Sequence, residues 1–310
     1  MAHAVANSVV VRVPGKINLQ LSVGPKEADG YHGIVTIFQS ISLYDDVTIT
    51  KEEIGAGLSL NVNGDHVHGV PIDETNLAWR AAILMCQKYE LPADLRIDIK
   101  KSIPVAGGMA GGSADAAATI LAIDALFSLG QTREDLHAVA AQLGSDVPFM
   151  LSGGTAVGRG RGDQVTSALS RGTYHWVLAL STVGLSTQAV YGECDRLREG
   201  MKIASPQVSD HLLQALLAAD SVALGKSLVS DLQPAACSLR PVLRLILDVG
   251  GEYVALGSIV SGSGPTVAFL VSDEAQALDL AVALTSSGVV GSVTRVSGPV
   301  PGARVIGIHS

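Results

Sequence analysis

Residues 101–115 read Lys-Ser-Ile-Pro-Val-Ala-Gly-Gly-Met-Ala-Gly-Gly-Ser-Ala-Asp and lead directly into an alanine-rich stretch. Gly107, Gly108, Gly111 and Gly112 fall within six positions, between a strand-like run and the first turn of a helix. Glycine permits positive φ and close backbone approach. A helix start leaves several N–H groups unpaired at the positive end of its dipole. Together they make a cradle for anions, suited to the oxygens of a nucleotide polyphosphate. Four glycines in so short a span cost too much chain entropy for a plain packing turn. Neither common phosphate loop fits. The dinucleotide fingerprint begun at Gly107 needs glycine where Met109 stands, and Walker A begun there needs lysine where Ser113 stands. The neutralising cations must come from elsewhere, from Mg²⁺ and distant lysines, with Lys101 the nearest candidate.

The chain has 310 residues, room for one large domain or two interlocked ones. Its net charge is −8, which argues against a binder of nucleic acid or anionic membrane over its whole surface. Charged residues make up only 16%, and mean hydropathy is +0.37, so a sizeable core is available and disorder is excluded. The longest apolar stretch, residues 116–127, contains Asp124 and is too short to span a bilayer. Residues 1–14 lack the basic-then-apolar pattern of a secretory leader. Cys86, Cys194 and Cys237 are far apart in sequence, which favours a reducing, cytoplasmic setting over a disulfide framework.

Strand patterns cluster early, at residues 9–13, 17–23, 34–39 and 47–50, with Asp29-Gly30 supplying a turn. A helix is predicted over 76–88 behind a Thr75 cap, then a strand over 95–101. Helices follow over 114–129 and, behind Thr132, over 133–143. Beyond them strands (176–180, 266–271) mix with helices (188–198, 208–219, 241–249, 274–285). That order predicts an α+β fold, divided near a polar stretch at 165–175 into an N-terminal lobe, 1–165, and a C-terminal lobe, 166–310.

Several polar residues stand in suggestive settings. If residues 13–21 form a strand, Lys16, Asn18 and Gln20 share one face, with Lys16 and Asn18 roughly 6.6 Å apart. Such a pair suits a transferring phosphate and a hydroxyl, although an edge strand with a wet face gives the same pattern. Asp146 sits in Gly-Ser-Asp-Val-Pro after a helix and before an apolar strand start. Locally it reads as a turn or cap; functionally it is a carboxylate able to orient and deprotonate a hydroxyl. His66 and His68 alternate as along a strand and could chelate a metal, but no third ligand is near in sequence and they read as surface residues. Arg159 and Arg161 sit in Gly-Arg-Gly-Arg-Gly, which favours a hairpin turn over a phosphate grip. Residues 261–266, Ser-Gly-Ser-Gly-Pro-Thr, precede an apolar strand; their glycines permit close approach of backbone or ligand, with a tight turn the equal alternative.

Pro14-x-Lys16-x-Asn18, the Pro104–Asp115 loop and Gly262-Ser-Gly-Pro265 occur in the order that marks the superfamily of galactokinase, homoserine kinase, mevalonate kinase and phosphomevalonate kinase, which this chain resembles from about residue 10 to 297. Asp29-Gly-Tyr-His32, Asp146-Val-Pro and Leu185-Ser-Thr187 are similar to the branch whose alcohol substrate is a cytidine-diphosphate-linked methylerythritol, a step of non-mevalonate isoprenoid synthesis. The resemblance implies a two-lobed α+β kinase with ATP as co-substrate and Mg²⁺ expected. Kinases for mevalonate or homoserine, or a silent ligand sensor, are the alternatives. It further implies Lys16 and Asp146 as the catalytic pair, Asn18 at the methylerythritol end, Tyr31 and His32 at the cytidine end, and Thr187 and Tyr191 over the cytosine. Asn76 and Leu77 match positions beside the adenine. Lys101 and the loop residues Pro104, Val105, Ala106, Gly107, Gly108, Met109, Ala110, Gly111, Gly112, Ser113 and Ala114 match the ATP site. Ala106, Ala110 and Ala114 depart from residues that are often Gly, Gly and Ser there. No metal ligand and no oligomeric state are implied.

Overall fold

Two long β-branched strands, β1 (Ser8–Lys26) and β2 (His32–Lys51), pair antiparallel across the Asp29-Gly30 turn, each fusing two of the predicted runs. The computed structural model describes residues 6–181 and 183–310, so the first five residues of the stretch tested for a leader lie outside it. Next come β3 (Ser59–Gly64), α1 (Leu77–Lys88), β4 (Leu95–Lys101), α2 (Gly111–Leu126), α3 (Arg133–Ala140) and α4 (Val147–Ser152). A hairpin of β5 (Thr155–Arg159) and β6 (Gln164–Ser167) leads to β7 (Tyr174–Leu180) and α5 (Thr187–Leu197). Then follow α6 (Asp210–Ala218), α7 (Ser221–Ser227), β8 (Val229–Ser230), α8 (Gln233–Leu239) and α9 (Val242–Glu252). The chain closes with β9 (Gly257–Val260), β10 (Val267–Val271), α10 (Glu274–Ser287), β11 (Ser292–Gly298) and β12 (Arg304–His309).

The first sheet runs β12-β1-β2-β4-β3, with β5, β6 and β8 attached; the second runs β11-β7-β10-β9. The expected α+β class holds. A cut at residue 165 would fall inside β6, and β8 and β12 return to the first sheet, so the lobes are not two contiguous halves of the chain. Trp176 of the second sheet donates its indole N–H to Gln39 of the first, 3.0 Å away. Helix α2 has no polar face. Its alanines, apart from half-buried Ala125, are buried; the helix packs on β1, β2, α1 and α4, and the small side chains let it lie close to the sheet. This fixes the start of α2 beside the middle of β1.

Thr132 caps α3 in a full capping box with Asp135. At α1 the cap is Asn76 rather than Thr75: its Oδ1 accepts from Ala78 N at 2.8 Å, while Thr75 turns its hydroxyl to Asp73. Residues 147–152 form a helix where a strand was expected, because Pro148 falls in the first turn, where its missing N–H costs nothing. His66 and His68 lie beyond the end of β3 rather than along a strand. No helix among the described residues is long and apolar enough to cross a membrane.

Candidate active site

The glycine-rich loop lies against β1. The N–H of Lys16 donates to the Met109 carbonyl at 3.3 Å, so the loop occupies the strand edge between the stretches paired with β12 and β8. Met109 anchors the loop with a fully buried side chain, and Ala114 is buried likewise. Their backbones, not their side chains, face the question of phosphate. Ala110, the N-cap of α2, makes no side-chain cap bond, which leaves the first-turn amides of Gly111, Gly112 and Ser113 to a ligand. Gly107, Gly108, Gly111, Gly112, Ser113, Pro104, Ala106 and Ala110 line a cleft of about 500 Å³. Val105 projects outward, 39% exposed. Leu77 lines the same cleft, and Asn76 buries its amide in the cap of α1.

Gly108 must be glycine. A Cβ there would stand 2.0 Å from the Ser261 carbonyl, and its φ is +76°. The Ser261 hydroxyl in turn donates to the Gly108 carbonyl at 3.0 Å. The Ser-Gly-Ser-Gly-Pro turn therefore docks directly on the phosphate loop. Ala106 and Ala110 hold φ values of +51° and +58°, a left-handed conformation that costs an L-residue about 1–2 kcal/mol. These are two of the positions where glycine is often found in the resembling proteins.

Lys16 is 4% exposed. Two of its three ammonium protons are used inside the protein: Nζ donates to Asn18 Oδ1 at 2.7 Å and to the Gly108 carbonyl at 2.9 Å. Asp146 Oδ2 lies 4.0 Å away. Burial lowers the Lys16 pKa from the ordinary lysine value, and the Asp146 charge only partly opposes this. The wet edge-strand reading of Lys16 fails because both faces of β1 are covered here. The cap reading of Asp146 fails too: it occupies the N-cap position of α4 without a side-chain cap bond, and its carboxylate stands in the cleft, with its side chain 29% exposed.

Lys101 does not serve as a phosphate cation. It is 2% exposed, bonded to Asp45 and to Asp115 Oδ2 (2.8 Å), and a Cβ on Gly111 would lie 3.1 Å from its Nζ. Asp45 also accepts from the amides of Ser102 and Ile103 at 2.6 and 2.9 Å. This ion cluster ties the entry of the loop to the first turns of α2 from below. Nothing in the motif marks Asp45, which lies 56 residues before Lys101 in the sequence.

A second cavity of about 1180 Å³ adjoins the first, and both are lined by Ile34, Ser145, Arg161, Thr187 and Tyr191. Tyr31 is 56% exposed at its mouth, with the Arg161 guanidinium 3.8 Å above its ring centre and bonded to Asp29 at 2.7 Å. Arg161 does sit in the expected hairpin, between β5 and β6, and nonetheless faces the cleft. His32 is buried; its Nε2 meets Asp195 at 2.7 Å and its ring lies 5.2 Å from that of Tyr191. Burial, with the Asp146 charge second, pushes the Tyr191 phenol up to about 12, so it remains a neutral donor. Thr187, first residue of α5, shares a hydrogen bond with Ser263 at 3.0 Å. Asn18 is 3% exposed and engages both ends of its amide within the protein, which makes it first a holder of Lys16.

Residues 76–154 match the family model described as GHMP kinases N terminal domain, and residues 212–290 match GHMP kinases C terminal. A curated relative from Mycolicibacterium smegmatis, named 4-diphosphocytidyl-2-C-methyl-D-erythritol kinase, is 52% identical over 96% of this chain and 92% of its own. A solved 4-(cytidine 5'-diphospho)-2C-methyl-D-erythritol kinase superposes with a TM-score of 0.74 at 28% identity, covering 93% of this chain and 98% of that one. The homoserine kinase of Cytophaga hutchinsonii, 18% identical, shares the fold with a TM-score of 0.76 over 99% of both chains. This chain therefore belongs to the GHMP kinase family, in the branch whose curated members carry the name 4-diphosphocytidyl-2-C-methyl-D-erythritol kinase.

Proposed function

We propose that this chain transfers the γ-phosphoryl group of ATP to a hydroxyl of 4-diphosphocytidyl-2-C-methyl-D-erythritol. The observation that carries the reading is the placement of Lys16 and Asp146, 4.0 Å apart, in the cleft lined by the uncapped start of α2. The relatives' shared name supplies the acceptor, and the adjoining cavity of about 1180 Å³ offers room for its cytidine end beside Tyr31, His32 and Tyr191.

Phosphoryl transfer passes through a loose transition state, so the protein mainly positions reactants and neutralises charge. The amides of residues 111–113 would hold phosphate oxygens, and the remaining Lys16 proton would face the transferring group. The acceptor oxygen forms a bond to the γ-phosphorus as the bond to the β,γ-bridging oxygen breaks. Asp146 orients the hydroxyl and takes its proton, and ADP leaves. Mg²⁺, expected with ATP, would supply charge neutralisation at the triphosphate. Cys86, Cys194 and Cys237 are free, which supports a reducing, cytoplasmic setting.

The test is ADP release from ATP with the cytidyl substrate, mevalonate and homoserine in parallel. Turnover confined to the cytidyl substrate is expected, and Asp146→Ala should lower kcat by about 100-fold or more while leaving KM for ATP within twofold. Turnover of another alcohol alone, or ATP binding without turnover of any, would overturn the reading.

A further inference from the structure

Lys16 is aimed by a chain of buried hydrogen bonds that continues past Asn18 into the second strand. Asn18 Nδ2 donates to Thr36 Oγ1 at 2.7 Å, and the Thr36 hydroxyl donates to the Gln20 carbonyl at 2.7 Å. Asn18 and Gln20 flank an irregularity in the β1–β2 register, where a ladder break frees a carbonyl and re-aims side chains. Thr36 is fully buried, with Gly158 opposite it on β5; a Cβ on Gly158 would come within 2.9 Å of the Thr36 methyl.

The direction of every proton in this chain is determined. A hydroxyl has one proton, and a carbonyl can only accept. The Thr36 proton is therefore committed to Gln20, and toward Asn18 its oxygen can only accept. That forces Nδ2 of Asn18 toward Thr36 and Oδ1 toward Lys16, whose ammonium can only donate. Were the amide reversed, its NH₂ would meet the ammonium head-on. Resting on the phosphoryl-transfer reading above, we propose that Thr36 is a positioning residue for the reaction: it locks the Asn18 amide so that Lys16 keeps two protons on Asn18 and Gly108 and directs the third at the transferring group.

The groups packed around the amine are Asn18 of β1, Phe38 of β2 (ring centre 5.7 Å away), Gly108 of the loop, Gly262 of the docked turn and Asp146 ahead of α4. Of these only Asp146 carries a charge. With the Asn18 acceptor withdrawn, the ammonium loses a stabilising partner, and its already depressed pKa falls further.

The experiment compares wild type with Thr36→Val, close in shape but without the hydroxyl, and Thr36→Ser, which retains it. Thr36→Val should lower kcat about tenfold, keep both KM values within twofold and move the alkaline limb of the kcat profile to lower pH. Thr36→Ser should restore kcat and the limb to within about twofold. Should Thr36→Val fail to fold, Thr36→Ala carries the same comparison. In parallel, protein labelled with ¹³C at lysine Cε is titrated without substrate, the Lys16 signal being assigned by its loss in Lys16→Arg. A Lys16 titration that Thr36→Val leaves in place, or a loss of kcat that Ser does not rescue, would overturn the proposal. A shifted titration in a protein that turns over none of the alcohols would uphold the relay and reject the transfer reading, so the two failures are separable.

Discussion

Asp115→Asn should remove a pH dependence of stability rather than simply weaken the fold. Asp45, Lys101 and Asp115 form a buried cluster of two carboxyls around one ammonium, each member 2% exposed or less. Asp45 accepts from two backbone amides as well as from Lys101, whereas Asp115 has only the Lys101 bond, and its Oδ1 has no partner. Asp115 is thus the member whose ionisation the interior penalises. Burial raises its pKa from 3.8 to about 7, against the opposing field of Lys101. The folded chain then holds this proton to higher pH than the unfolded chain. Its contribution is complete below about pH 4 and is lost as pH rises through about 7. At 1.36 kcal/mol per pH unit, the loss is at most about 4 kcal/mol, and about 2 kcal/mol after relaxation is a fair expectation. Asparagine keeps the shape and carries no titrating proton. Urea unfolding at pH 5, 6, 7 and 8 should show the wild type losing stability relative to Asp115→Asn as pH rises. Parallel profiles for the two proteins would mean that no proton is lost from Asp115 over this range and would refute the reasoning.

Three other outcomes follow from geometry. Gly108→Ala places a methyl 2.0 Å from the Ser261 carbonyl at a φ of +76°, and KM for ATP in steady-state assays should rise at least about tenfold. Tyr31→Ala should raise KM for the cytidyl substrate by a factor of about 5–150, the worth of one stacked base, with KM for ATP within twofold. Ala110→Gly relieves a left-handed alanine at the cost of a more flexible unfolded chain, so its unfolding free energy from urea titration should match or exceed that of the wild type by up to about 1 kcal/mol.

What could be seen in the sequence was what is local. The loop announces itself because its glycines, its alanines and the helix start are contiguous, and residues 9–13 and 17–23 read as strands, though not as the single strand they form. Residues whose meaning depends on a distant partner could not be read. Lys101 looked like a free cation because its two carboxylate partners, 56 residues before and 14 after it, do not advertise themselves. Asp146 looked like a cap because the position is a cap position; only the three-dimensional structure shows that its side chain is not used there. Thr36 carried no signal at all, since a threonine in a strand is the expected residue. Arg161 is in a hairpin and in the cleft at once.

The two buried lysines divide the electrostatic work beneath the loop. Lys101 is surrounded by carboxyls and holds the backbone that carries the amides; its charge is spent on structure and contributes little field above the loop. Lys16 is paired instead with neutral acceptors, Asn18 and the Gly108 carbonyl, and stands 4.0 Å from its one charged neighbour. A cation held by dipoles keeps its field for whatever enters the cleft, whereas one held by anions does not. Burial lowers the pKa of Lys16, with only Asp146 opposing it, whereas at Lys101 burial is outweighed by Asp115 and Asp45 and the pKa rises. In Asn18→Asp the Thr36 hydroxyl turns from the Gln20 carbonyl to donate to the new carboxylate, which holds Lys16 more firmly while cancelling its charge. The variant should remain folded and bind ATP, yet lose phosphoryl transfer, for the reason that makes Lys101 silent.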